Sequence, residues 1–409
     1  MGEAAGSALH WLVHGDALAQ AVLCVAIGLV LRDLLAIRFR YGAEPLATLF
    51  PPISILKPVH GTEPQAEAAF RSWCMLEYPA GWELIFAFED AAEPLYSLAV
   101  ALASEFAGQV RCVLSGPNPD PGVNGKSHNL AAAAADALHD WLLISDSDTL
   151  ADRDTLRRFA AAIDERTGAV SATPQIVFAA GLPARLEQVL VNNVLAPFEY
   201  ASAQLRGAHG LWGTLMLVRR ECVDAAGGFA ALGRFLTEDI ALERALRRQG
   251  WRCALLRRPV DVLAAPLSWA ELLRHWQRWL VGLRRMKPAE YACMALILLG
   301  WLLPLAALAS LPLQRDAMHE RARALTVFGL AAAASPLLTG RAGIGTRARA
   351  SGYVLLPLSM SALLAAYCWS LCSTTVVWRG RRLRIARDGR IVTPREQNAP
   401  QGQTLRRSP

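Results

Sequence analysis

The fold of this chain is decided by residues 140–148, which read DWLLISDSD. The apolar run inside this stretch predicts a buried strand, and Asp146 and Asp148 follow where the strand ends. Two carboxylates that flank a tight turn can hold Mg²⁺ or Mn²⁺ against the charge of a diphosphate. Taken alone, however, an Asp-Ser-Asp motif is more often a plain turn or a helix N-cap. Its meaning therefore depends on the segments around it.

Three more strands are predicted upstream of this motif. Residues 53–58, 83–88 and 109–114 are short apolar runs, and helical stretches at residues 65–76 and 95–106 lie between them. Strands that alternate with helices predict an α/β domain whose mostly parallel sheet is covered on both faces. Ligands of such sheets bind at the carboxyl ends of the strands, and two acidic motifs fall there.

Four apolar runs lie outside this domain, at residues 17–37, 292–313, 325–338 and 353–378. About 20 apolar residues span a bilayer, so the runs predict an N-terminal anchor and several C-terminal membrane segments. The third run is short and contains Pro336, so a re-entrant segment is the alternative to a full span. The predicted order is a tail at 1–16, an anchor at 17–37, the α/β domain at 52–262, an amphipathic interfacial region at 263–290, membrane segments at 291–378 and a basic tail at 379–409.

The charge pattern points to a membrane surface. The chain has 42 Lys and Arg against 35 Asp and Glu, and much of the excess, such as Arg38 and Arg40, lies beside the apolar runs. This distribution predicts contact with anionic lipid headgroups, no nucleic-acid partner, and a domain that faces the cytoplasm. The eight cysteines form no CxxC pair, which fits reduced thiols in that compartment. Three full C-terminal spans would place the basic tail outside, so the number of spans stays open.

Two further acidic pairs are candidate site residues. Glu89 and Asp90 end the second strand, where Asp90 could accept hydrogen bonds from a nucleotide base or ribose, although a solvated loop is the simpler reading. Glu238 and Asp239 begin a predicted helix, and Thr237 before them is a suitable N-cap. Deprotonating a hydroxyl group requires one well-placed carboxylate, which makes Asp239 the candidate catalytic base.

Residues 269–286 are basic and aromatic at once and predict an amphipathic helix at the membrane surface. Within it, Arg278 can pair with a diphosphate, because a guanidinium fork matches phosphate oxygens. Trp279 can line an acceptor site next to it.

Taken in order, these motifs resemble the family 2-type glycosyltransferases of the GT-A fold. The details are closer to the ceramide glucosyltransferases and their bacterial hopanoid-glycosyltransferase relatives. The matching positions are ISILKPVHGTEP at 53–64, Tyr78-Pro79, Phe88-Glu89-Asp90, Lys126 with Asn129, Asp146, Gly213-Thr214, Gly227-Gly228, Glu238-Asp239 and Arg278-Trp279. The resemblance covers residues 52–290 together with the membrane segments.

The resemblance implies inverting transfer of a hexose from a UDP-sugar to a hydroxyl of a membrane lipid, in a bacterial inner membrane. It assigns the donor to Asp90, Lys126, Asn129, Glu238, His275, Arg278 and Trp279, the Mg²⁺ or Mn²⁺ ion to Asp146 and Asp148, and the role of base to Asp239. His275 departs from the Gln or Arg of the family, and the charge of a histidine depends on pH.

Two alternatives remain at this stage. A processive polysaccharide synthase has the same fold but usually more membrane spans. A non-catalytic membrane protein, whose acids are only caps and turns, gives no reason for the motifs to occur in order. The sequence leaves open the sugar and the acceptor, which is ceramide, a hopanoid polyol or diacylglycerol.

Overall fold

The computed structural model describes residues 15–43, 47, 49–207, 210–313, 316–343, 351–378 and 380–393. Its first helix, α1 (Ala17–Arg40), covers the predicted anchor. The Asp16 side chain caps it by accepting a hydrogen bond from the Ala19 amide at 2.8 Å. The last turn of α1 contacts the α/β domain, where Phe39 stacks on Tyr200 with ring centroids 5.4 Å apart.

Strands and helices alternate through the α/β domain. The strands are β1 (Ile53–Pro58), β2 (Trp82–Phe88), β3 (Val110–Leu114), β4 (Trp141–Ser145), β5 (Thr149–Leu150), β6 (Thr167–Ser171), β7 (Pro174–Val177), β8 (Leu215–Arg219), β9 (Arg252–Leu255) and β10 (Val260–Leu263). The helices are α2 (Ala66–Cys74), α3 (Tyr96–Glu105), α4 (Gly125–Asp136), α5 (Thr155–Ala161), α6 (Leu182–Leu190), α7 (Ala196–Arg206), α8 (Arg220–Ala225), α9 (Gly228–Leu232) and α10 (Glu238–Arg248), with a π-helical turn (Val191–Leu195) between α6 and α7. The four strands and two helices predicted upstream of residue 146 are therefore confirmed, with small shifts of their ends.

The main sheet has seven strands in the order β3-β2-β1-β4-β8-β6-β9. Neighbouring strands from β3 to β4 are parallel, while β8 runs antiparallel to both β4 and β6. Side chains alternate between two buried cores, with Ile55 and Phe86 on one face and Leu56 and Ile85 on the other. Both faces are covered, which explains why the strands read as apolar runs. The predicted mostly parallel α/β sheet is confirmed.

The predicted amphipathic segment is a single helix, α11 (Trp269–Met286). It begins with a capping box, in which Ser268 and Glu271 each accept a hydrogen bond from the other residue's backbone. Further along, a Cβ added at Gly282 would lie 2.6 Å from a methyl carbon of Thr237. The missing side chain therefore allows α11 to pack closely against the start of α10.

In the part of the chain that the structure describes, four helices are long and apolar enough to cross a membrane. They are α1, α12 (Pro288–Ser310), α13 (Met318–Arg341) and the part of α14 (Ser351–Cys372) that begins at Val354. Helix α12 leaves the α/β domain at Lys287, which lies 2.7 Å from Glu243, and ends where Ser310 accepts a hydrogen bond from Arg321 of α13 at 2.7 Å. The short run that was compatible with a re-entrant segment is a continuous helix, α13, which includes Pro336.

Helices α1 and α13 run side by side in the same direction. Arg321, at the start of α13, pairs with Asp16 at 2.7 Å, and Tyr41 donates a hydrogen bond to the Arg341 carbonyl at the other end at 3.4 Å. Since α1 ends at the α/β domain, α13 also ends on that side. Helices α12 and α13 therefore form a hairpin that leaves the domain and returns to it.

Helix α14 lies beside α11 and runs in the same direction. Near its start, Leu356 packs in one apolar cluster with Leu272 of α11. Near its end, Arg284 of α11 donates hydrogen bonds to the carbonyls of Leu371 and Ser373. Between these points α14 also hydrogen-bonds α6. Both ends of α14 therefore lie against elements that are attached to the α/β domain.

After α14, the structure differs from the predicted limits of the C-terminal segments. The helix ends at Cys372, and the predicted membrane residues Thr375–Trp378 form strand β11 instead. The described part of the predicted basic tail adds β12 (Arg381–Ile385) and β13 (Ile391–Val392), and the three strands form an antiparallel sheet. Apolar character alone did not separate helix from strand here, whereas β-branched residues and Gly380, with φ +73, favour a hairpin.

This C-terminal sheet (residues 375–392) packs on the α/β domain. Its Gly389 carbonyl accepts a hydrogen bond from the Leu236 amide at 3.1 Å, and the Ile391 amide donates to the Arg234 carbonyl at 2.8 Å. Apolar side chains of the sheet are buried against Leu236 and Val281 of α11. The sheet is therefore an integral part of the domain.

Candidate active site

The turn at residues 146–148, here called the acidic turn, is held from beneath by Lys57. This fully buried lysine of β1 donates hydrogen bonds to Ser145 Oγ at 3.0 Å, the Asp146 carbonyl at 2.6 Å and Thr149 Oγ1 at 3.1 Å. Its Nζ also lies 5.2 Å from the centre of the Trp73 ring. Burial lowers the pKa of Lys57 to about 7, against the opposing effect of the nearby carboxylates. The lysine fixes the backbone on which both carboxylates of the turn are mounted.

A second buried lysine joins the acidic turn to Glu238 and Asp239, here called the acidic pair. Lys126, in the first turn of α4, contacts Asp146 Oδ1 at 2.8 Å and Glu238 Oε1 at 3.0 Å, and donates to the Gly213 carbonyl at 2.8 Å. Burial by itself would lower the pKa of Lys126, but Asp146 and Glu238 more than offset this and raise it above its usual value. The ammonium group of Lys126 therefore contacts two motifs that are far apart in the sequence.

Asp239 lies directly beside this cluster. Its carboxylate accepts hydrogen bonds from the Gly213 amide at 3.1 Å and from the Ile240 amide at 2.8 Å. A Cβ added at Gly213 would lie only 3.0 Å from Asp239 Oδ2, so the glycine allows this close approach. Burial and the neighbouring Glu238 raise the pKa of Asp239 to about 6, partly opposed by Lys126. A carboxyl group that titrates near neutral pH is well suited to act as a general base.

Asp148 has the surroundings of a cation ligand. Its Oδ1 is buried and has no hydrogen-bond partner in the described part of the chain. Burial, followed by the charges of Asp146 and Glu63, raises the pKa of Asp148 to about 8. Residues 15–393, apart from the gaps given above, contain no group of three or more potential metal ligands. Mg²⁺ often binds through one or two carboxylates plus substrate phosphates, and Asp146 with Asp148 fits that pattern.

A cavity of about 130 Å³ lies next to the start of α4. It is lined by His60, Glu89, Pro121, Val123, Asn124, Gly125, Asn129, Trp378, Arg381, Leu383 and Ile391. Asn129 donates hydrogen bonds to carbonyls at the ends of β1 and β2, both at 3.2 Å, and so holds the two strand ends together. Asp90 instead accepts a hydrogen bond from the Ala92 amide at 2.6 Å in an exposed turn, and its neighbour Glu89 lines the cavity.

Only part of the predicted motif of α11 lies next to this cavity. The Arg278 guanidinium lies over the ring of Trp378, 5.4 Å from its centre, and Trp378 is a cavity wall. His275 Nδ1 contacts Glu187 of α6 at 3.0 Å, and the His275 and Trp279 ring centroids are 4.3 Å apart. Trp279 packs in the apolar cluster shared by α6, α11 and α14. The structure therefore places Arg278 against a residue of the cavity wall, while His275 and Trp279 face α6.

A family model described as Glycosyl transferase family 21 matches residues 17–391. The chain belongs to this family. The match begins with α1 and ends in the C-terminal sheet, so it includes every membrane helix described above. The predicted family resemblance and GT-A fold class are therefore confirmed, and the prediction of a glycosyltransferase is confirmed at the level of the family.

Two curated relatives are ceramide glucosyltransferases 1 and 3 of Caenorhabditis elegans. The first is 24% identical over 245 residues, covering 59% of this chain and 52% of the relative. The second is 24% identical over 231 residues, covering 56% and 50%. The chain thus spans about half the length of the curated relatives it matches.

Two solved structures are also similar to this chain. One is the mannosyltransferase PcManGT from Pyrobaculum calidifontis, in complex with GDP-Man and Mn²⁺, with 19% identity, coverage of 86% of this chain and 99% of that chain, and a TM-score of 0.48. The other is glucosyl-3-phosphoglycerate synthase from Mycobacterium tuberculosis, in complex with Mn²⁺ and UDP-glucose, with 16% identity, coverage of 58% and 79%, and a TM-score of 0.39.

Several residues of this site are not among those that the sequence motifs identify. Lys57 could have been identified from the sequence, because a lysine inside an apolar strand needs a buried partner. Glu63, which accepts a hydrogen bond from Ser147 at 2.7 Å, carried no such signal. Thr237 stands at the N-cap of α10 as predicted, but its hydroxyl makes no capping bond within the described residues. Arg381 was indistinguishable from the other basic residues of the tail.

Proposed function

We propose that this protein transfers a hexose from a UDP-sugar to a hydroxyl group of a membrane lipid, of the ceramide or hopanoid type. One observation carries the proposal. Lys126 contacts both Asp146 and Glu238, and so gathers the acidic turn and the acidic pair, including Asp239, in one cleft. Membership of the family supports sugar transfer as the reaction, and the membrane helices support a lipid as the acceptor.

The chemistry proposed for this cleft is a single inverting displacement. Asp239 accepts the proton of the acceptor hydroxyl while that oxygen attacks the anomeric carbon of the sugar. The bond from this carbon to the diphosphate oxygen breaks on the opposite face, so the configuration inverts and the nucleoside diphosphate leaves. Asp146 and Asp148 would hold Mg²⁺ or Mn²⁺, which when bound neutralises charge on the leaving diphosphate.

Lys126 and Arg278 have supporting roles in this proposal. Lys126 holds Asp146 and Glu238 at a fixed separation, since both carboxylates contact its ammonium group. Arg278 packs on Trp378 of the cavity wall, and a guanidinium near this cavity can pair with phosphate oxygens.

The membrane topology forms part of the proposal. We infer three crossings, by α1, α12 and α13, in the inner membrane of a bacterium, with the α/β domain in the cytoplasm. Helix α14 would then lie along the interface with α11, because both of its ends are attached to the α/β domain. This arrangement keeps the basic C-terminal sheet on the cytoplasmic side, in agreement with the tendency of positive charge to stay inside.

The test is transfer of radiolabelled glucose from UDP-glucose by the purified full chain in vesicles. Separate vesicles contain ceramide, a hopanoid polyol or diacylglycerol, and lipid products are separated by mass. Asp239→Asn should reduce transfer about 10²- to 10⁴-fold, as loss of a general base does. Asp154→Asn, at the start of α5, is the matched control because Asp154 is an exposed carboxylate that pairs with Arg158 of its own helix and not with Lys126. Unchanged transfer by Asp239→Asn would refute the proposed mechanism.

A further inference from the structure

We infer that the C-terminal sheet completes the donor site, with Arg381 binding the nucleoside diphosphate and Trp378 positioning Arg278. This inference rests on the proposed function, because it names further residues of the same site. It also gives the chain that follows the membrane helices a role in substrate binding.

The cavity is built from two parts of the chain. One half comes from the carboxyl-end side of the main sheet and the start of α4, including Glu89, Asn124 and Asn129. The other half comes from the C-terminal sheet. Its volume of about 130 Å³ is below the about 300–1,000 Å³ typical of pockets for whole ligands. It therefore suits one portion of a nucleotide sugar, with the remainder extending toward Lys126, which directly follows the cavity residue Gly125.

Strand alternation explains why Arg381 and not its neighbours faces this space. Successive side chains of a strand point to opposite faces, so Arg381 and Leu383 share one face and Arg382 lies on the other. Both Arg381 and Leu383 line the cavity, and Ile385 on the same face is buried against the domain. Among the described residues, Arg381 has no ion-pair partner, and it lines the cavity together with Glu89. Its charge is therefore available to an anionic ligand, and a guanidinium binds phosphate oxygens with two parallel hydrogen bonds.

Trp378 acts through Arg278. The guanidinium of Arg278 lies over the indole ring of Trp378, so the ring limits where the arginine can point. The strand that carries Trp378 is attached to the same helix as Arg278, because Gln277 of α11 donates a hydrogen bond to the Thr375 carbonyl at 3.0 Å. Trp378 is thus a positioning residue, which connects Arg278 to the cavity wall that also contains Arg381.

The sheet is also connected to the catalytic carboxylate. Leu236, whose amide donates to the Gly389 carbonyl at 3.1 Å, lies just before the start of α10, which carries Asp239. The C-terminal sheet therefore contacts the backbone segment that leads into the helix of the proposed base.

The experiment measures UDP binding by calorimetry, with Mn²⁺ present, using the full chain in detergent. Arg381→Ala should weaken UDP binding about tenfold or more, the usual effect of removing a charged hydrogen bond. Arg382→Ala is the matched control, since it removes the same charge from the adjacent position on the opposite face, and it should bind UDP as the wild type does. Arg381→Lys should be intermediate, because it keeps the charge but loses the fork.

The results of this experiment distinguish failure of the inference from failure of the proposed function. If Arg381→Ala and Arg382→Ala bind UDP equally well while Asp146→Ala does not, the inference is overturned and the proposed function stands. If the wild type itself binds no UDP, the proposed function fails and the inference fails with it.

The positioning role of Trp378 is tested by a double-mutant cycle on kcat. Because Trp378 acts through Arg278, adding Trp378→Ala to Arg278→Ala should cause no further loss. Losses that add fully would overturn the positioning role, and recovery of kcat by Trp378→Phe would support it.

Discussion

Replacement of Lys126 by methionine keeps the length of the side chain and removes the charge that joins the two acidic motifs. Asp146 and Glu238 would then face each other without the cation that both contact. We expect a loss of stability together with a loss of transfer that exceeds it.

The size of the stability loss follows from the exposure of the three groups. The side chains of Lys126 and Glu238 are 10% and 9% exposed, whereas that of Asp146 is 34% exposed. Breaking a buried ion pair costs about 3–5 kcal/mol, and the Asp146 pair adds little because solvent screens it. For a domain of this size, each kcal/mol lowers Tm by about 2–4 °C, so we expect a decrease of order 10 °C.

The pH dependence of this effect has a definite sign. The pKa of Lys126 is raised in the folded state. Its contribution is therefore fully present below the unfolded pKa of lysine and is lost only as pH rises through the folded value. Lys126 itself therefore stays charged between about pH 6 and pH 8, so its own titration adds no pH dependence to the difference in Tm in that range.

The assay combines thermal unfolding in detergent with transfer measured per folded molecule. Lys287→Met is the matched control, because Lys287 is also a mostly buried lysine between two carboxylates, 2.7 Å from Glu243 and 3.3 Å from Glu290. It lies at the junction of α11 and α12, so it should lose stability but keep turnover. For Lys126→Met we expect kcat/KM to fall about 100-fold or more, since charge that organises the site is removed. Equal turnover per folded molecule in the two variants would refute the reasoning.

Three other outcomes are expected. Because burial raises the pKa of Asp239 to about 6 and a base acts in its ionised form, kcat/KM should fall as the pH drops through that value, and a rate that does not change there would contradict its role. Excess EDTA should abolish transfer and Mg²⁺ or Mn²⁺ should restore it, whereas full activity in EDTA would exclude a metal on Asp146 and Asp148. A reporter fused to the C-terminus should be found on the same side of the membrane as one inserted in the α/β domain, and the opposite result would show that α14 crosses.

The sequence alone predicts the elements of the fold that depend on local pattern. Apolar strands and the length of the membrane runs identify the sheet and the helices, because a strand buried on both faces and a helix in lipid must both be apolar. The family resemblance, which depends on the order of the motifs along the chain, additionally assigns Asp146, Glu238 and Asp239 to the site. The prediction from local pattern was wrong at residues 375–378, where the apolar run continues from a helix into a strand.

The sequence by itself therefore determined the fold class, the presence of long apolar helices and the identity of the acidic residues, since these follow from short-range periodicity and motif order. Only the tertiary structure decided which residues share the cleft. Contacts between Lys126 and Glu238, or between Arg278 and Trp378, join positions about a hundred residues apart, and no local pattern encodes such a pairing. The same is true of Arg381, whose face of the strand is set by how the C-terminal sheet packs on the domain.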